Sequence, residues 1–137
     1  MNLIEIEEII KIYRPLLYID KVVDLQKGKS ATCVKLFTYN ENFFQGHFVG
    51  NPIVPGTVLI ECMLQSVKLV FYSGYGFNNN SALLYDVPVV NFKKKVLPGD
   101  ELVIEVLFTW VDNNLFIDVV SFVEGAEVCN LKIKLNN

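Results

Sequence analysis

The chain has 137 residues, a net charge of −3 and a hydrophobic content of 52%, which together favour one globular domain over residues 1–137. The acidic balance argues against a nucleic-acid partner, and the lack of a run of about 18 uncharged apolar residues argues against a membrane span. The three cysteines, Cys33, Cys62 and Cys129, lack metal-ligand spacing and indicate buried thiols in a reducing compartment. We therefore expect a cytoplasmic protein.

The first part of the chain predicts a short helix and two strands before a long loop. Apolar residues within 3–12 recur at the spacing of one helix face, and Pro15 disfavours a helix at the residue before it. Strands are predicted over residues 16–25 and 31–37, the second of them rich in β-branched residues. Residues 40–55 are predicted to form an irregular loop.

A long apolar helix is predicted to begin at Gly56, directly after Pro55, and to end at about Tyr72, before Gly74. Its apolar side chains point in all directions around the helix axis, which is typical of a helix that is buried on every side. Its polar residues form one narrow stripe, with Glu61, Gln65 and Lys68 at spacings i, i+4 and i+7.

The rest of the chain has the pattern of antiparallel strands joined by short turns. Strands are predicted over 83–92, 101–111, 115–123 and 128–135, with turns at 98–100, 112–114 and 124–127. A single helix that is apolar all round needs a sheet that curves around it. The predicted fold class is therefore α+β, with the hotdog fold: a curled antiparallel sheet wrapped around a long central apolar helix.

The only histidine of the chain lies in the segment FQGHFVGNPIVPGTVLIECMLQ, residues 44–65. Neutral imidazole can accept a proton near neutral pH, so His47 is a candidate general base. Glu61 interrupts the apolar run of the helix, and a carboxyl group among apolar side chains holds its proton more readily than an exposed one, as a general acid must. From these residues alone, a structural histidine and a buried acid paired with a lysine are equally good explanations.

Three segments together resemble the (3R)-hydroxyacyl-(acyl-carrier-protein) dehydratases of fatty-acid synthesis, FabZ type: YRPLLYIDKVVDLQKGKSA, NENFFQGHFVGNPIVPGTVLIECMLQ and FKKKVLPGDELVIEV. The resemblance implies dehydration of 3-hydroxyacyl thioesters, carried as acyl-phosphopantetheine on acyl carrier protein, to trans-2-enoyl thioesters in fatty-acid, related acyl-chain or polyketide synthesis. The sequence contains no phosphate-cradling loop, metal-site or nucleotide-binding motif, so neither a cofactor nor a metal is expected. The resemblance also implies that His47 is the base and Glu61 the acid, and that each site is shared between two subunits of a homodimer, or of a trimer of dimers.

The resemblance assigns two backbone groups to the predicted site. It implies that the N–H of Gly56 holds the thioester oxygen, and the start of a helix suits the negative charge that develops there. It implies that the carbonyl of Ile53 orients His47. From the residues alone, a glycine needed only for the turn after Pro55 is an equally good explanation of Gly56.

Three side chains complete the predicted substrate site. Gln65 lies one helical turn after Glu61 and could hydrogen-bond it, or could be only a member of the polar stripe. Phe48 is a candidate wall of the acyl tunnel, with core packing as the alternative. Leu64 stands where the resembled family usually has alanine, so its extra bulk is expected to shorten or redirect that tunnel.

Two other functions remain open from the sequence. A hotdog acyl thioesterase would rely mainly on an acid with water, and would not need the spacing of His47 to Glu61. A non-catalytic acyl-binding subunit would need neither residue. The run Lys93–Lys95 is explained most simply as a solvated strand end, and otherwise as a contact for an acidic acyl carrier protein.

Overall fold

The computed structural model describes residues 1–41, 52–77 and 88–136. Its helices and strands, in chain order, are α1 (Leu3–Ile10), β1 (Lys21–Gln26), β2 (Ser30–Leu36), α2 (Gly56–Tyr75), β3 (Val89–Phe92), β4 (Glu101–Val111), β5 (Asn114–Val123) and β6 (Ala126–Asn136). The strands pair antiparallel in the order β1-β2-β4-β5-β6-β3. Within the described residues this is one six-stranded sheet.

The sheet curves around α2, which contacts β2, β4, β5 and β6. Side chains alternate between the two faces of a strand, and in β4 and β5 the inward positions carry the apolar residues. The buried residues of these two strands are Leu102, Ile104, Val106, Phe108, Leu115, Ile117, Val119 and Ser121. They pack with the helix into one core, so the prediction of a hotdog fold is confirmed.

The long helix ends at Tyr75, one turn later than predicted. Gly74 does not end it, because this glycine serves a close packing contact: a Cβ built on Gly74 would lie 2.5 Å from the Cα of Gly28. The residue that caps the helix is instead Gly76, which has a φ of 81° and donates its N–H to the carbonyl of Tyr72. A glycine that permits close backbone approach and a glycine that ends a helix are alike in sequence.

The predicted first strand is also shorter than the sequence indicated. β1 begins at Lys21 rather than at residue 16. Before it the backbone is irregular, and two of its polar groups bind the side chain of Gln65: the N–H of Tyr18 and the carbonyl of Leu16. A side chain of α2 therefore satisfies groups that a strand ladder would otherwise have to satisfy. The first helix ends at Ile10 rather than at residue 12.

Some sequence predictions fall on residues outside the described ranges. Residues 42–51 of the predicted loop and residues 83–87 of the predicted strand 83–92 are among them. The part of that segment that the structure describes forms the strand β3, which pairs with β6.

The three cysteines are buried, as predicted. Burial raises the pKa of the Cys33 thiol and of the Cys129 thiol to about 11, and it raises the pKa of Cys62 further still. The thiolate is the reactive form, so these side chains act as small apolar groups. Neither described helix combines the length and apolar character needed to cross a bilayer.

Candidate active site

The predicted site residues divide into those that the structure describes and those that it does not. His47 and Phe48 lie outside the described residues. Ile53 precedes α2, and the other four predicted site residues lie on this helix: Gly56, Glu61, Leu64 and Gln65. With a rise of about 1.5 Å per residue, the predicted oxyanion donor and the predicted acid are separated by little more than one helical turn.

In the single chain, α2 is not buried on every side. Thr57 is exposed, and Glu61, Leu64 and Lys68 are partly exposed. Their spacings of four, three and four residues place them on one face of the helix. Gln65 does not belong to this face, because only 1% of its surface is exposed. The prediction that Gln65 belongs to the polar stripe is therefore wrong, because this side chain points into the protein.

Gln65 uses both ends of its amide. Its Oε1 accepts a hydrogen bond from the N–H of Tyr18 over 2.7 Å, and its Nε2 donates to the carbonyl of Leu16 over 3.0 Å. The second N–H of Nε2 donates to Oε1 of Glu61 over 3.1 Å. The predicted hydrogen bond between Gln65 and Glu61 is confirmed, and it joins an interior amide to a carboxyl group on the partly exposed face.

The amide of Gln65 has only one orientation that satisfies these partners. A rotation by half a turn would direct its NH₂ at the N–H of Tyr18 and its oxygen at the carbonyl of Leu16, which are two repulsive contacts. The fixed N–H therefore requires a lone pair on Oε1 of Glu61.

The N-terminus of α2 offers backbone N–H donors. The carbonyl of Pro55 accepts from the N–H of Val58 over 3.0 Å and of Leu59 over 3.3 Å, so the N–H groups of the preceding positions lie ahead of the first intrahelical bond. The first turn contains no acidic residue, which leaves the positive end of the helix dipole without a neighbouring carboxylate in that turn. This end of α2 is suited to stabilising an anionic oxygen.

A cleft of about 340 Å³ lies beside this end of the helix. It is lined by Ile53, Val54, Gly56, Leu59, Phe92, Lys93, Lys94, Lys95 and Val96. The ring of Phe92 lies directly against Gly56: a Cβ built there would come within 3.0 Å of Cζ. A side chain at position 56 would therefore have to displace the ring of Phe92.

The run Lys93–Lys95 is exposed and directly follows β3, as expected for a solvated strand end. Lys93 is paired with Glu127 over 2.6 Å. Lys94 and Lys95 also line the cleft beside Gly56. Positive charge is thus present at the mouth of the same cleft that contains the helix N-terminus.

Sequence reasoning missed two residues of this region. Phe92 gave no signal, because its contact with Gly56 joins elements that are distant in the chain. Lys35 did give one: it follows Ala31 and Cys33 at period two on β2, and like them it is buried. A lysine in phase with the apolar face of a strand indicates an inward-pointing cation.

The sequence of the chain is similar to those of known proteins. The model of the FabA-like domain family matches residues 12–132. The chain is 35% identical over 137 residues to the 3-hydroxyacyl-(acyl-carrier-protein) dehydratase FabZ of Vibrio atlanticus, an alignment that covers 98% of this chain and 91% of the relative.

Two solved structures show the same fold. One is the dehydratase heterocomplex ApeI:P from Xenorhabdus doucetiae, with a TM-score of 0.67, 13% identity and coverage of 96% of this chain and 91% of that chain. The other is thioesterase superfamily member 2 from Mus musculus, with a TM-score of 0.68, 10% identity and coverage of 96% and 93%. At such identities the likeness concerns the fold alone, which dehydratases and thioesterases share.

Proposed function

Because this chain belongs to the FabZ-type 3-hydroxyacyl-(acyl-carrier-protein) dehydratases of the FabA-like family, we propose that His47, Glu61 and the N-terminus of α2 carry out the reaction together. The enzyme is a lyase of fatty-acid biosynthesis that removes water from 3-hydroxyacyl thioesters held on acyl carrier protein. The observation that carries the proposal is the Glu61 carboxyl group, which Gln65 holds on the partly exposed face of α2, little more than one turn from the backbone N–H groups at the start of the helix.

The reaction needs one base, one acid and one oxyanion donor. His47 removes the α-proton of the 3-hydroxyacyl thioester, and the electron pair moves toward the thioester carbonyl. The N–H of Gly56 stabilises the enolate oxygen that forms. As the double bond forms between Cα and Cβ, the hydroxyl on Cβ departs with the proton of Glu61 as water.

In this scheme the hydrogen bond from Gln65 gives the two carboxyl oxygens of Glu61 different roles. Oε1 is occupied as the acceptor of the amide N–H, so Oε2 is the oxygen that donates to the departing hydroxyl. Each turnover leaves an imidazolium on His47 and a carboxylate on Glu61. Exchange of protons with solvent restores both groups before the next substrate binds.

The site is shared between two copies of the chain in this proposal. Support comes from the partly exposed face of α2, where Glu61 and Leu64 lie side by side and where a second subunit would cover them. A homodimer would bring His47 of one copy to Glu61 of the other, as the sequence resemblance implies. The proposal also includes a single domain over residues 1–137 and a location in the cytosol.

Lys94 and Lys95 are proposed to attract the acidic acyl carrier protein to the cleft. They are exposed and line the cleft beside Gly56, whereas Lys93 already has a partner in Glu127. Replacing both residues with glutamate should lower kcat/KM for carrier-bound substrate, and added salt should reduce the difference between the variant and the parent. Turnover of a pantetheine-linked substrate should be unchanged, and an equal loss on both substrates would contradict a carrier contact.

The experiment that tests the whole proposal follows the mass of acyl chains on acyl carrier protein. The parent protein should convert a 3-hydroxyacyl chain to its enoyl form with loss of one water. His47→Gln and Glu61→Gln should each lower the rate by about 10²- to 10⁴-fold while the melting temperature stays close to that of the parent. Lys68→Gln, on the same face of α2, is the matched control and should keep full activity.

Two results would overturn the proposal. Near-normal dehydration by either variant would remove the assigned role from that residue. Release of free carrier thiol instead of dehydration would assign the protein to the thioesterases that share its fold.

A further inference from the structure

Lys35 is a lysine inside the protein. On β2 and the residue after it, Ala31, Cys33, Lys35 and Phe37 alternate toward the core and all four are buried. Only 7% of the Lys35 side chain is exposed, although a charged side chain is rarely buried unless it is paired. The burial of this charge therefore calls for an explanation, and the proposed dehydration mechanism gives Lys35 no role.

The ammonium group of Lys35 is held by two carboxylates and two rings. Its Nζ donates to Oε1 of Glu41 over 2.7 Å and lies 3.6 Å from Oδ2 of Asp20. The ring centroids of Tyr18 and Phe37 lie 5.8 and 5.7 Å away, within the range of a cation–π contact. Burial lowers the pKa of Lys35, but the hydrogen bond to Glu41 and the charges of Asp20 and Glu41 outweigh it, so the lysine stays charged.

Glu41 precedes His47 by six positions in the chain. The chain on the other side of His47 is also attached to the core, since the buried Val54 donates its N–H to the carbonyl of Val96 over 2.8 Å. One attachment is a backbone hydrogen bond, and the other is an ion pair between side chains. Of the two, the ion pair can be removed by substitution.

The same cluster reaches the predicted acid. The ring of Tyr18 lies beside Nζ of Lys35, and the N–H of Tyr18 binds Gln65, which in turn binds Glu61. Glu41 and the carboxyl group of Glu61 are therefore both attached to the residues around Tyr18. Lys35 is thus connected to Glu41, which precedes His47 in the chain, and through Tyr18 and Gln65 to Glu61.

We propose that Lys35 is a positioning residue for the dehydration, and that its buried ion pair with Glu41 fixes the point from which the chain runs to His47. This inference rests on the proposed role of His47. Lys35 touches no reacting atom and acts only through the residues that it holds. Small displacements of a catalytic group lower turnover steeply, so the ion pair should influence kcat more than substrate binding.

The test uses the fact that His47 is the only histidine of the chain. In a ¹H–¹³C correlation spectrum the imidazole Cε1–H gives one signal, which reports the surroundings of His47 without any assignment problem. In Lys35→Met this signal should shift or broaden, and kcat should fall roughly 10- to 100-fold while KM changes by no more than about twofold. Methyl signals of core residues distant from Lys35, such as Leu131, should stay in place.

Glu41→Gln and the double variant Lys35→Met/Glu41→Gln complete the test. Lys35→Met leaves Glu41 without the lysine, and Glu41→Gln leaves Lys35 with Asp20 alone, so each single variant can lower stability by itself; the double variant contains neither charge of the pair. If the ion pair itself is what positions His47, kcat of the double variant should fall about as much as kcat of either single variant. If the two residues acted independently, the two decreases in kcat would instead multiply. Glu41→Gln keeps the inference testable if Lys35→Met does not fold.

Lys11→Met is the matched control, because it removes a lysine from an exposed ion pair with Glu8; its kcat and its imidazole signal should equal those of the parent. Unchanged kcat and an unchanged imidazole signal in folded Lys35→Met and Glu41→Gln would overturn the inference. So would a loss of activity that only follows the fraction of unfolded protein. If His47→Gln is inactive while Lys35→Met is fully active, only the inference about Lys35 is contradicted. If His47→Gln is active, the proposed role of His47 is contradicted as well.

Discussion

The ring of Phe92 lies over the Cα of Gly56 so closely that an added methyl group would come within 3.0 Å of Cζ. The ring is 53% exposed, so it can move aside when the backbone below it gains a side chain. Substitution at this glycine therefore disturbs the cleft more than it disturbs the core.

Gly56→Ala should lower kcat/KM roughly tenfold or more without lowering the melting temperature. The new methyl group obstructs the space at the proposed oxyanion donor, whereas alanine in a helix is favoured over glycine by about 0.5–1 kcal/mol. Steady-state kinetics and thermal unfolding measure the two effects separately. Adding Phe92→Ala distinguishes the cause: activity that returns points to the displaced ring, and activity that stays low points to the methyl group. A fully active single variant would contradict the assigned role of Gly56.

Gln65→Leu should lower both stability and kcat. It removes the hydrogen bonds of Gln65 to the N–H of Tyr18 and the carbonyl of Leu16, and each lost hydrogen bond costs about 0.5–1.5 kcal/mol. It also frees Glu61 to rotate, so kcat should fall in protein that is fully folded at the assay temperature. Ser66→Ala is the matched control on the same helix: it removes a buried hydrogen bond to the carbonyl of Cys62 and should lower the melting temperature with kcat unchanged. Equal kcat in both variants would show that Gln65 is structural only.

Leu64→Ala should shift substrate preference toward longer or bulkier acyl chains. The leucine lies three residues after Glu61 on the partly exposed face of α2, where its side chain would fill space next to the acid. Relative turnover across a series of chain lengths measures the shift. Leu69→Ala, which removes a side chain with no exposed surface, should lower stability by roughly 2–5 kcal/mol and leave the profile unchanged. If Leu64→Ala behaves in the same way, this leucine serves packing and not specificity.

Mixing inactive His47→Gln and inactive Glu61→Gln subunits should restore activity. If each site takes its histidine from one copy and its glutamate from the other, a mixed dimer contains one complete site and one doubly altered site. Activity should rise as the subunits exchange, which mass measurement of the intact oligomer can follow. A fully exchanged mixture without activity would indicate sites built within single chains.

Glu7→Gln should change the acid stability of the protein. Glu7 accepts a hydrogen bond from the backbone N–H of Arg14 and further bonds from its guanidinium, and these contacts lower the pKa of Glu7 below its ordinary value of 4.5. A lowered pKa contributes stability above the unfolded pKa, and that contribution is lost as the pH falls through the folded value. Glu7→Gln should thus melt below the parent at neutral pH, with a gap that closes under acid conditions. A gap that does not depend on pH would contradict this ionic role.

Much of the architecture and part of the site followed from local patterns in the sequence. Period-two alternation predicted the strands that became β4, β5 and β6, and the long apolar run predicted the helix that the sheet surrounds. The hydrogen bond between Gln65 and Glu61 was also predictable, because residues four apart in a helix are neighbours wherever the helix lies. The roles of His47 and Glu61 came from the family resemblance, and both roles remain a prediction.

Tertiary structure alone decided the features that join distant parts of the chain. Gly74 resembled a helix stop until the backbone of Gly28 was found against it, and Gly56 resembled a turn residue until the ring of Phe92 was found above it. Gln65 resembled a surface residue until its interior partners appeared. In each case the residue's role depends on a neighbour that lies dozens of positions away. Local propensity cannot contain this information, because the contact exists only after the sheet has closed around the helix.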